Sequence, residues 1–147
     1  MDAYDNLKNA IVQQAVEDYA AAFMGNKVGG KGPSAVMWEC EKFFHSDWYA
    51  ALTNGAINGE WLARNVKIRE LEKAAKTYET ILGAHSSTAF RVSAHFPKEQ
   101  GKEKPKSVTY IFPPRFAVGI MDALRIQLET IMAEIRELKA ASEEAST

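Results

Sequence analysis

Apolar side chains recur along this chain in two rhythms, and the change from one to the other divides it. From Asp2 to Met24, Leu7, Ile11, Val12, Ala15, Val16, Tyr19 and Phe23 fall at steps of three and four, which gathers them on one face of an α-helix. Asp2 and Asp5 lie near its positive end, and Gly25-Asn26 stops it. After a connector, Pro33 opens a second helical stretch, Ser34 to Leu52, in which Met37, Cys40, Phe44, Trp48 and Leu52 keep the same spacing. Trp38, Phe43 and Tyr49 widen its apolar face, and Ser46-Asp47 has the chemistry to cap a new turn, so the pattern allows a bend or break near His45. Thr53-Asn54-Gly55 ends the stretch and Asn58-Gly59 begins the next. There Trp61, Ile68, Ala75 and Leu82 stand seven apart with Leu71 and Tyr78 between them, a seam for nearly parallel or antiparallel packing over 59–82.

Past Ser87 the period becomes two. Phe90, Val92, Ala94 and Phe96 alternate with Arg91, Ser93 and His95, and Val108, Tyr110 and Phe112 share one side of a second run. The spacing predicts strands over about 88–96 and 107–112, joined by the polar PKEQGKEKPK tip of an antiparallel hairpin. Pro113-Pro114 then launches a helix over about 115–140, whose stripe of Ala117, Ile120, Leu124, Leu128, Ile131, Ile135 and Leu138 runs roughly 33 Å. The expected fold is α+β and predominantly helical, one domain over 1–147: three N-terminal helices, a two-stranded antiparallel hairpin, and a long C-terminal helix on the third. Two strands alone are marginal in water, so the hairpin needs helices beneath it or a strand from another chain. A homodimer is the second solution, and the far end of the last helix offers a surface for it.

Composition keeps the chain in the soluble globular class, with 46% hydrophobic and 25% charged residues. A single cysteine fits a reducing compartment. No apolar run nears the ~20 residues that cross a bilayer, so a cytoplasmic protein without a membrane partner is expected. Net charge is -1, but its distribution is uneven: residues 84–115 carry 6 Lys/Arg against 2 Asp/Glu, whereas 1–58 carry 4 against 7. The basic residues Arg91, Lys98, Lys102, Lys104 and Lys106 surround the hairpin, and a lysine-rich ribbon can follow a phosphate backbone. Loops that must stay soluble carry lysines for that reason alone, and Glu99 and Glu103 dilute the charge.

Catalytic chemistry is thin. Gly25, Gly30 and Lys31 match the start of a phosphate loop, but Gly32 replaces the Ser or Thr that holds magnesium, and the loop follows a helix instead of a strand. Glu39 and Glu41 flank Cys40, the opposite of what a reactive thiolate requires. His45, His85 and His95 have no metal-ligand spacing. We therefore expect no catalytic residue, cofactor or metal. What stands out is aromatic: Phe43, Phe44, Trp48, Tyr49 and Trp61 crowd residues 39–62. Trp38, Tyr49 and Trp61 are the candidate partner-binding residues, because Trp and Tyr concentrate at binding hot spots, while core packing is the ordinary fate of such residues.

The runs AIVQQAVEDYAAA at 10–22 and ECEKFFHSDWYAALT at 39–53, with Gly59-Glu60-Trp61-Leu62, resemble small uncharacterised proteins carried by prophages and integrative elements of Gram-positive bacteria. Their pattern is similar to ECExFFxSxWxxxLT, and the likeness spans roughly residues 10–65. The glycine-rich insert at 25–32 and everything after Ser87 depart from it. The resemblance implies a genomic setting and assigns no site. Small mobile-element proteins of this size often act stoichiometrically on a host protein or on DNA. The expected function is accordingly non-enzymatic binding of a host protein or protein–nucleic-acid complex, such as inhibition of a CRISPR nuclease. The alternative is a DNA- or RNA-binding accessory protein using the basic hairpin.

Overall fold

The computed structural model describes residues 2–83, 89–96 and 106–146. Among them are five helices and one two-stranded antiparallel sheet, in the order α1 (Ala3–Phe23), α2 (Pro33–Phe44), α3 (Asp47–Thr53), α4 (Gly59–Leu82), β1 (Phe90–Phe96), β2 (Lys106–Phe112) and α5 (Pro114–Ser146). The protein is thus a predominantly helical α+β chain with a hairpin and a long last helix. The helical stretch expected over 34–52 is two helices, so four helices precede the hairpin.

Ser46 makes that division. Its hydroxyl donates to the Phe43 carbonyl at 2.6 Å, closing α2, and accepts from the Tyr49 amide at 3.1 Å, capping α3. One side chain therefore ends one helix and starts the next. Asp2 caps α1 in the same manner through the Asp5 amide at 2.8 Å, and Asn58 caps α4 through the Trp61 amide at 3.0 Å. Between α3 and α4 the chain turns through Asn54 and Gly55, with φ of 54° and 68°, and the Gly55 amide reaches back to the Ala50 carbonyl at 2.9 Å.

The described chain falls into two compact units, Met1–Ala74 with Met132–Thr147, and Ala75–Ile131. In the first, α1, α2 and α3 pack on one another, and Ala63 and Val66 of α4 join Tyr19, Ala22, Val36, Cys40, Phe44 and Tyr49 in one core cluster. Its rings meet edge to face: Tyr19 on Phe44 at 5.6 Å, and Phe44 on Tyr49 at 5.8 Å. Gly59, the first residue of α4, is buried against Phe44, the last of α2, and any Cβ there would collide with the Phe44 carbonyl. Ile68, Leu71 and Ile135 are also buried, and Lys139 of α5 pairs with Glu72 of α4 at 2.9 Å, which sets the end of α5 beside α4 within this unit.

In the second unit β1 and β2 pair antiparallel in the register Phe90↔Phe112 through Phe96↔Lys106. Ser93 and Thr109 lie directly opposite and share a hydrogen bond of 2.8 Å, and Tyr110 meets Phe112 edge to face at 4.7 Å. The alternation read from the sequence is present, but Val92, Phe96, Val108 and Tyr110 on the apolar side remain exposed. Ala75, Ala117 and Met121 are the buried apolar positions described here. Among the described residues no helix is long and apolar enough to cross a membrane.

Candidate functional site

The three tryptophans lie on the surface of the first unit, each on a different helix: Trp38 on α2, Trp48 on α3 and Trp61 on α4 are 63%, 58% and 51% exposed. Helical phase explains Trp38. Val36, Cys40 and Phe44 of α2 point to the core, and Trp38 falls on the opposite side, where the Lys42 ammonium stands 5.1 Å from its ring centre. Tyr49 is not part of this surface. It is 2% exposed and wedged against Phe43 and Phe44, and among the described residues its hydroxyl has no hydrogen-bond partner, so it packs in the core instead of standing beside Trp38 and Trp61 on the exterior.

Trp48 takes the place the sequence pattern gave to Tyr49. The break at Ser46 restarts the helical phase: Tyr49 turns inward and Trp48 outward, with Trp48 held edge-on by Phe43 at 5.5 Å. The apolar spacing over 34–52 set Trp48 in line with Met37, Cys40, Phe44 and Leu52, while Ser46-Asp47 allowed a break near His45, and the two helices meet at that break. Restarting the helical phase at that capping signal is the step that reveals the exposure of Trp48.

Phe43 and Trp48 form one wall of a groove of about 450 Å³. The other wall is α1, through Ala10, Ile11, Gln14, Ala15 and Asp18, and Cys40 and Glu39 of α2 complete it. The lining is mostly apolar. Its charged members are both carboxylates. Asp18 accepts from the Gln14 amide at 2.8 Å, and Glu39 pairs with Lys31 at 3.0 Å, an exposed contact worth ~0–1 kcal/mol. The Cys40 thiol is raised above its ordinary pKa by burial first, and then by Asp18, Glu39 and Glu41, so it is held protonated at neutral pH. Glu41 in turn accepts the Tyr19 hydroxyl at 2.7 Å, and burial together with that carboxylate raises the phenol.

Trp61 belongs to another hollow, of about 660 Å³, with Ala56, Ile57, Asn58, Glu60, Arg64 and Ser142. Arg64 is largely covered and reaches Glu60 at 3.6 Å, so its charge is already partnered. The structure therefore does not gather the candidate aromatic residues at one place.

Of the candidate basic residues, Arg91 and Lys106 are described, and both belong to the second unit. Arg91 is exposed on β1 opposite Ile111, on the polar side of the hairpin, and Lys106 opens β2 opposite Phe96. Lys98, Lys102 and Lys104 lie outside the described residues, as do His85 and the expected hairpin tip up to Pro105. Among the described residues no three His, Cys, Asp or Glu side chains are grouped as metal ligands. No protein-family model matches the chain, and no curated protein or solved structure is significantly similar to it.

Proposed function

We propose that this protein acts by binding another protein through its first helical unit, as a stoichiometric mobile-element inhibitor of a host defence complex. The observation that carries the binding reading is Trp48, more than half exposed on the wall of an apolar groove although the adjoining core had room for Tyr49, Phe44 and Tyr19. Exposed tryptophan in a lined groove is the arrangement of an anchor residue, because it removes a large apolar surface from water when a partner closes over it. The mobile-element setting comes from the resemblance of residues 10–65.

A DNA-cleavage assay with a host CRISPR nuclease tests the reading. Cleavage is expected to fall in proportion to added chain and to end near one equivalent, and Trp48→Ala is expected to weaken inhibition at least about tenfold, in line with a loss of ~2 kcal/mol at a hot spot. Unchanged cleavage at large excess, with no protein held by the wild-type chain, would reject it. Inhibition that fades steeply with salt and disappears on charge reversal of Lys102, Lys104 and Lys106 would favour the nucleic-acid alternative.

A further inference from the structure

The groove between α1, α2 and α3 carries enough chemical detail to say what should fill it. Its α1 wall runs from Ala10 to Asp18, about 12 Å by helical rise, which is the length of two helical turns. Ile11, Phe43 and Trp48 supply the large apolar contacts, and Ala10 and Ala15 let a partner backbone come close. Asp18 and Glu39 line it with negative charge, and neither lysine nor arginine is among its lining residues. The region around it, residues 1–58, has 4 Lys/Arg against 7 Asp/Glu. Lys31 holds Glu39 in a solvent-exposed pair that an incoming cation can replace.

From these features, and resting on the protein-binding reading above, we infer that the groove receives an amphipathic α-helix of the partner, with apolar side chains against Ile11, Phe43 and Trp48 and flanking lysine or arginine against Asp18 and Glu39. Helix-in-groove docking needs an apolar stripe at i, i+3/i+4 and i+7, and two turns accommodate such a set of anchors. The carboxylates then select the sign of the charges beside that stripe, since like charges at an interface oppose binding. Cys40 lines the same groove, and after burial the causes that raise its thiol are the carboxylates of Asp18, Glu39 and Glu41, in keeping with that sign of charge.

The test uses the full chain and a displayed library of 16-residue amphipathic helices with leucine, isoleucine or phenylalanine on one stripe and lysine, glutamate or glutamine randomised beside it. Selection on the wild-type chain, with a counter-selection on Trp48→Ala, is expected to enrich lysine over glutamate about tenfold or more. A synthetic copy of a recovered helix should then bind the Asp18→Asn, Glu39→Gln double variant about tenfold more weakly than wild type at low salt. Both substitutions keep the side-chain shape and one acceptor oxygen while removing the charge, so this arm does not depend on Trp48→Ala folding. Recovery of glutamate-rich helices, or of helices without charge preference, overturns the inference and leaves protein binding standing. Recovery of no helix dependent on Trp48 or on the two carboxylates overturns the inference and removes this groove from the protein-binding reading as well.

Discussion

Single side chains carry the most legible physics in this protein. The Tyr49 hydroxyl is buried with no hydrogen-bond partner among the described residues, and such a group costs free energy on folding. Tyr49→Phe is therefore expected to leave stability unchanged or to raise it by up to ~1 kcal/mol, as read by urea denaturation. Tyr19→Phe should do the reverse and cost ~1 kcal/mol, because it removes the 2.7 Å bond to Glu41. Cys40 gives a pH dependence with a definite sign. Burial and the neighbouring carboxylates raise its pKa in the folded chain, so above the ordinary thiol value of ~8.5 the folded state holds a proton that the unfolded state has lost. Its stabilising contribution is complete below that value and is lost as pH rises through the folded pKa. A stability profile from pH 7 upward should decline, and Cys40→Ala should remove the part of the slope that begins near the thiol value. An unaltered slope would show that the thiol does not contribute.

At the scale of elements, periodicity and punctuation revealed much. The 3-4 rhythm placed α1 and α4, the period of two placed both strands, and Pro113-Pro114 placed the start of α5 to within a residue. Ser46-Asp47 allowed a break near His45, and the break is there, but its effect on helical phase was not legible, since the apolar spacing continues through it from Phe44 to Trp48 and Leu52 as if one helix ran on. A cap is a local hydrogen-bond decision that a hydrophobic pattern does not register. That single decision exchanged the fates of Trp48 and Tyr49, and so displaced the candidate site. Ser46→Ala removes both bonds of the junction and should destabilise the first unit by about 1–2 kcal/mol. Gly59 marks the other close approach, where sequence indicated only a helix start. Gly59→Ala would push a methyl group into the Phe44 carbonyl and should cost about 1–3 kcal/mol, with a lowered denaturation midpoint and an unchanged slope.

On the scale of the whole chain, the two kinds of surface fall in different units. The groove with Trp48, Asp18 and Glu39 lies in the first unit, and the exposed basic residue Arg91 with the paired strands lies in the second. Sequence reading recognised both an aromatic-rich stretch and a basic stretch, but could not set Phe43 and Trp48 in one groove with Ile11, because that placement depends on how α1 packs against α2 and α3. The account depends most on the side chain at position 48 meeting a protein. A photo-crosslinking residue placed there in the full chain, expressed in host cells, measures this directly. The account predicts a protein adduct at position 48 that a lysine-bearing amphipathic helix competes away, with little adduct from the same probe placed at position 91. A probe that stays unattached at 48 while the one at 91 joins nucleic acid would contradict it.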